Sequence, residues 1–201
     1  METGGECSYV TVQGNEVFFH CEVNEDSIRE LVTKMRALVK HLRKIYIDIG
    51  IEQDPSVTLY IKSDGGDLYS GFSAMDHIRS LRAHVTTVAD GVCASAATLI
   101  LLAGSVRKMS ENSYVLIHQI SADGVWGKYE ELKDHMQNFT KDMDRMKKVY
   151  ESETAIPPRK LNKILKKDLY LDAEQCLTYC VIHEIITHPS SNQVQPEILD
   201  E

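Results

Sequence analysis

The longest apolar run in the chain is "ATLILLAG" at residues 97–104, far short of the ~20 residues that a membrane span needs. No transmembrane segment is expected. The N-terminal "METGGECSYV" lacks the basic start and apolar core of a secretory signal, which points to a cytoplasmic chain. Five cysteines (Cys7, Cys21, Cys93, Cys176 and Cys180) form an odd, scattered set without a CxxC pair. Such a set reads as reduced thiols rather than a disulfide frame or zinc site. The eight histidines show no HExxH spacing, and no metal is expected. There is no GxGxxG dinucleotide fingerprint, so no cofactor is expected either, and no GxSxG elbow of the ordinary α/β-hydrolases. Positive charge is scarce. With 22 Lys and Arg against 30 Asp and Glu, the net charge of −8 argues against nucleic acid as the main partner. The one basic run, Lys160, Lys163, Lys166 and Lys167, is equally explained by a solvated helix face.

What is present is an ordinary soluble composition, 43% hydrophobic and 26% charged, in a chain long enough for one domain with a real core. Residues 1–16 are polar and glycine-bearing, and read as a flexible N-terminal segment. "VFFHCEV" (17–23) predicts a strand. Asn24 then caps a helix whose stripe is Ile28, Leu31, Val32, Met35, Leu38, Val39 and Leu42. Residues 43–56 fit either an extension of that helix or an added strand and turn. From there strands alternate with helices: strand 57–61 and helix 68–82, strand 85–89 and helix 95–104, strand 114–118 and helix 128–152. That alternation predicts an α/β fold, in which loops at the carboxyl ends of strands carry the chemistry.

Ser95, His118 and the Gly65–Gly66 pair all fall at such strand ends. Each has two readings. Ser95, in "DGVCASAATLILLAGS" (90–105), is either a helix cap or a nucleophile. His118 ends an apolar strand and is either a satisfied core histidine or the base that a serine hydroxyl needs. The Ala96 N–H, at a helix start, is a ready oxyanion donor. Gly65–Gly66 is either a plain turn or a place where backbone approaches a ligand without a Cβ in the way.

Three segments together carry a resemblance: "YIKSDGGDLYSG", "DGVCASAATLILLAGSVRKMSENSYVLIHQ" and "KKDLYLDAEQCLTYCVIHEII". In order and spacing they resemble the ClpP proteolytic subunits of the ATP-dependent Clp protease. The resemblance spans residues 17–188, a ClpP-like serine peptidase domain, and leaves 189–201 as a disordered acidic tail. It implies a ClpP/crotonase-like spiral of ββα units with a protruding handle helix. By motif it assigns Ser95 as nucleophile, His118 as general base and Asp168 as the carboxylate that orients it. Gly66 and Ala96 become the oxyanion donors. Nothing in the residues alone singles out Asp168 among the 30 acidic side chains.

The same resemblance matches 128–152 to the handle, with a stripe of Leu132, Met136, Phe139, Met143 and Met146. It matches Gly124–Tyr129 to a strand that pairs with substrate, so that Gly65, Gly124, Val125 and Trp126 become substrate-binding. It implies hydrolysis of unfolded polypeptides inside a homo-oligomer of two stacked heptameric rings, fed by a hexameric ATP-dependent unfoldase. Two departures stand out. Asp64 and Ile120 occupy positions where the family has prolines. The altered turn at Asp64, with the short segment before the first strand, motivates an alternative, a weakly active or non-catalytic subunit that joins mixed rings. The crotonase scaffold suggests another, an acyl-thioester enzyme that works through backbone N–H groups.

Overall fold

The structure is a computed structural model and describes residues 9–121 and 124–187. The chain opens with a hairpin, β1 (Val10–Gln13) and β2 (Glu16–Phe19), and continues into α1 (Glu25–Asp48) and β3 (Ser56–Ser63). Next come α2 (Leu68–Arg79), β4 (His84–Ala94), α3 (Ala97–Leu101), β5 (Val106–Ser110) and β6 (Tyr114–Leu116). The last elements are α4 (Tyr129–Glu153), α5 (Pro158–Ile164), β7 (Tyr170–Leu171), α6 (Ala173–Thr178) and β8 (Glu184–Ile186). Among the described residues the eight strands join one sheet, ordered β1-β2-β3-β4-β5-β8, with β6 branching from β4 and carrying β7.

β4 is the spine. Its first half, Thr86–Ala89, pairs in parallel with β5, and its second half, Val92–Ala94, pairs with β6. The change of partner falls at Asp90–Gly91, where Gly91 has φ +84° and donates its N–H to Ser113 Oγ at 2.7 Å. The β2–α1–β3, β3–α2–β4 and β4–α3–β5 crossovers each join neighbouring parallel strands. Strand carboxyl ends therefore gather at the end of the sheet where β4 passes to β6. The core between sheet and helices is filled by side chains such as Phe19, Leu31, Met35, Leu59, Ile100 and Met109.

Several expectations are corrected here. Part of the 1–16 segment, expected to be loose, is β1. Val10 is fully buried and pairs with Phe19, so the burial of one valine and a hairpin ladder order it. Residues 1–8 and 188–201, with the whole of the acidic tail, lie outside the described residues. The strand expected over 17–23 ends at Phe19, although Val23 returns to the sheet as a single bridge to Gly66. Residues 43–48 extend α1, so the ambiguity resolves as helix. Asn24 caps that helix: Asn24 Oδ1 accepts from Ser27 N at 2.9 Å, and Ser27 Oγ accepts from Asn24 N at 3.0 Å. The apolar helix expected over 95–104 shortens to α3, because Ser95 has left-handed backbone (φ +54°) that no helix can include. Among the described residues no helix is long and apolar enough to cross a membrane.

Candidate active site

Ser95 sits in the turn from β4 into α3. A positive φ on a residue with a Cβ is uncommon and costs roughly 1–3 kcal/mol, so surrounding contacts must hold it. They do. Ser95 N donates to Leu116 O at 2.8 Å, and Ser95 O accepts from Thr98 N at 3.0 Å and Thr98 Oγ1 at 2.6 Å. Because Thr98 Oγ1 spends its proton on Ser95 O, the buried Tyr150 hydroxyl is the donor in their 2.5 Å contact. Burial keeps that phenol protonated, with its pKa well above the ordinary range.

The diglycine turn is packed against the serine. A Cβ on Gly65 would come within 2.6 Å of Ser95 Cβ and 3.1 Å of Ala96 N. One on Gly66 would run into the Val23 carbonyl. Both positions therefore demand glycine for close approach, and both have positive φ. Val23 N donates to Gly65 O, and Asp67 N donates to Val23 O, each at 2.7 Å. This parallel bridge uses the peptide groups that flank Gly66, so its own N–H points to the opposite side. Among the described residues neither Gly66 N nor Ala96 N donates a hydrogen bond. Gly65, by contrast, is engaged within the chain: its N–H donates to Ser63 Oγ at 3.1 Å.

His118 lies just past β6, two residues beyond the Leu116 carbonyl that fixes Ser95. Its Nδ1 is 3.3 Å from Asp168 Oδ1. Asp168 comes from the loop between α5 and β7, brought there by the pairing of β7 with β6. That contact occupies the Nδ1 side of the ring, and the imidazole, Ser95, Gly66 and Ala96 line one cavity of about 240 Å³. Ser95 Oγ makes no hydrogen bond to the imidazole, and such bonds in ligand-free sites often tighten only when substrate binds.

Nearby thiols do not compete as nucleophiles. Cys93 is fully buried two residues before Ser95, and burial raises its pKa well above the usual thiol range. Burial pushes the Cys176 thiol up to about 12. Among the described residues no three His, Cys, Asp or Glu side chains are placed to hold a metal.

Residues 9–189 match the Clp protease family. The chain belongs to the Clp protease family. It is 32% identical over 148 residues to the ATP-dependent Clp protease proteolytic subunit 2 of Treponema denticola, covering 73% of this chain and 74% of the relative. It is 29% identical over 142 residues to the ATP-dependent Clp protease proteolytic subunit of Deinococcus radiodurans, covering 70% and 69%. A solved structure of a ClpP1 mutant from Listeria monocytogenes superposes with a TM-score of 0.73 at 21% identity, over 87% of this chain and 92% of that one. The fold is thus that of ClpP, and the chain is a Clp protease-like peptidase.

Other site expectations fare differently. Gly124, Val125 and Trp126 do not line the cavity. Val125 is 41% and Trp126 86% exposed. Among the described residues, 124–128 belong to no strand and Tyr129 opens α4; the strand expected over Gly124–Tyr129 is one that pairs with a bound substrate. Conversely, Tyr69, Phe139, Asp142, Met146 and Tyr150 line the cavity. Phe139 and Met146 belong to the apolar stripe read from the sequence. Asp142 shares their face at i+3 and i−4, a spacing that could have found it.

Proposed function

We propose that the chain is a serine endopeptidase subunit that cuts unfolded polypeptides within an oligomeric chamber, using Ser95, His118 and Asp168. The observation that carries this reading is one cavity lined by a strained serine turn, two unengaged backbone N–H groups and a histidine paired at 3.3 Å with a carboxylate. Ser95 Oγ attacks the scissile carbonyl carbon while His118 Nε2 takes its proton. The carbonyl oxygen becomes an oxyanion facing the N–H groups of Gly66 and Ala96, which are already oriented and need no reorganisation. Collapse breaks the C–N bond, and the leaving amine takes the proton from His118. Water, activated by the same imidazole, then hydrolyses the acyl ester. Asp168 holds the imidazole in the tautomer with Nδ1 protonated.

Assembly rests on α4. No residue from 129 to 141 is buried in the single chain, and Met136 is 62% exposed on the apolar stripe. A second copy of the same helix fits this face in a pair of stacked heptameric rings, fed by an ATP-dependent unfoldase. Ser95→Ala and His118→Ala are each expected to abolish peptide hydrolysis with the fold intact by circular dichroism. Triad members act as a unit, so the double variant should be scarcely worse than either single. Full hydrolysis by purified Ser95→Ala would overturn the assignment.

A further inference from the structure

The cavity beside Ser95 is not simply apolar. Leu99, Ile120, Phe139 and Met146 supply greasy walls, yet Asp67 and Asp142 also line it, and no lysine or arginine does. The two acids differ in how far they are already engaged. Asp67 caps α2, its Oδ2 accepting from Ser70 N at 2.6 Å. Asp142 projects from α4 and accepts one hydrogen bond at Oδ2, from Tyr69 Oη on the first turn of α2 at 2.8 Å. That bond spans the space between the two helices and is the chief reason the Tyr69 phenol has a raised pKa. No lysine, arginine or histidine among the described residues lies within 4.0 Å of the Asp142 carboxylate. On its own helix, the adjacent Lys141 makes no ion pair with it, and Arg145, one turn on, lies over the Phe72 ring, 4.3 Å from its centroid.

We propose that this cavity receives a cationic substrate side chain, lysine- or arginine-like, with Asp142 as its counter-ion and Tyr69 as the positioning residue for Asp142. The proposal rests on the peptidase reading and names the substrate residue its site prefers, the one whose carbonyl Ser95 attacks. Asp142 is only partly buried and has no cationic partner within 4.0 Å among the described residues, so a cation entering the cavity gains a charge-assisted contact. A long basic side chain fits the cavity in two ways. Its methylene stem packs on Leu99, Phe139 and Met146 while its charged end reaches the open oxygen of Asp142. A leucine in the same place would shield the carboxylate from water without pairing it, and a glutamate would add a like charge.

The test uses fluorogenic peptides that differ only at that residue: lysine, leucine or glutamate. The full-length protein should favour lysine over leucine by about tenfold in kcat/KM, the scale of one hydrogen bond to a charged group, with glutamate slowest. Asp142→Asn keeps the shape and the Tyr69 contact, and should bring the lysine-to-leucine ratio to about one. Tyr69→Phe should lower the ratio partway, raising KM for the lysine peptide more than it lowers kcat. A second readout separates this idea from the peptidase reading. Binding of the same uncleaved peptides to Ser95→Ala, with and without Asp142→Asn, is followed by fluorescence anisotropy. If the parent cleaves no peptide and a fluorophosphonate does not label it, the peptidase reading fails, and the anisotropy series still decides the cavity's preference. Tighter lysine-peptide binding that is lost with Asp142→Asn supports the proposal. A parent that prefers leucine, or a lysine-to-leucine ratio that Asp142→Asn leaves unchanged in both readouts, overturns it.

Discussion

At the scale of single residues, Ser95 holds a conformation that its own side chain disfavours. Its φ of +54° is sustained by the Leu116 and Thr98 contacts, so part of the fold's stability is spent on presenting one hydroxyl. A glycine accepts that backbone without strain, whereas alanine keeps the Cβ and the strain with it. Ser95→Gly should therefore melt above Ser95→Ala, by about 1 kcal/mol or less once glycine's unfolded-state entropy is counted. Thermal unfolding of the two inactive variants side by side decides it; a lower Tm for the glycine variant would mean the turn is not strained. Asp64 is exposed while its neighbour Gly65 is buried. Solvent screens an exposed charge strongly, so Asp64→Asn should change peptide turnover less than about twofold, the scale of a weak surface interaction. Ile120, the other departure from a family proline, donates its N–H to Met143 Sδ at 3.3 Å. A proline has no such proton.

At the scale of elements, α4 is two helices in one. Its second half is anchored by Met146 and Tyr150, both buried, while its first half has no buried residue. The anchor reaches the chemistry through the Tyr150–Thr98–Ser95 chain of hydrogen bonds. Tyr150→Phe deletes one bond and leaves the Thr98 hydroxyl still donating to Ser95 O, so the expected loss is about 1 kcal/mol in denaturant unfolding. Met146→Ala opens a cavity in the same anchor and should cost about 2–4 kcal/mol. If the tyrosine variant is instead the more damaging, the hydrogen-bond chain matters more to the fold than the packing does. The end of α4 is tied down by Arg107, only 6% exposed. Its Nη2 donates to Glu153 O and Cys180 O, each at 2.9 Å.

At the scale of the whole molecule, that clamp also confers pH sensitivity. His183 N donates to Arg107 O at 2.7 Å, and His183 Nδ1 accepts from Arg107 N at 3.2 Å. Desolvation first, and the neighbouring Arg107 charge second, lower the His183 pKa below its ordinary value of 6.5. A histidine with a depressed folded pKa contributes nothing adverse above the unfolded value. As pH falls through 6.5 the unfolded chain takes up the proton first, so stability declines until the folded group also titrates. Unfolding midpoints between pH 7 and pH 5 should therefore fall less steeply in His183→Gln than in the parent. The proposed assembly is the other matter at this scale. Met136→Glu places a charge in the exposed stripe and should convert the assembled protein to smaller species in sedimentation velocity. An unchanged mass would mean that α4 does not meet a second copy through this face.

The sequence by itself determined the long local elements and the chemistry-bearing types. Periodicity is a local property, so α1 and α4 were legible from their stripes, and β3 and the first half of β4 from their β-branched runs. Ser95, His118 and Gly65–Gly66 were legible as strand-end residues, and the motif resemblance added Asp168. Only the tertiary structure decided what depends on partners distant in the chain. β7 and β8, of two and three residues, are too short to show a pattern, and β5 (VRKMS) carries no β-branched run; each exists because a neighbouring strand completes its hydrogen bonds. The pairing of β7 with β6 is what carries Asp168 to His118. The same logic governs Val10, which is buried only because its hairpin closes. It also governs residues 124–128, which have no strand beside them among the described residues. Asp142 shows the limit most clearly: its place on the stripe was readable, but whether it lined the cavity beside Ser95 depended on how α4 lies beside α2.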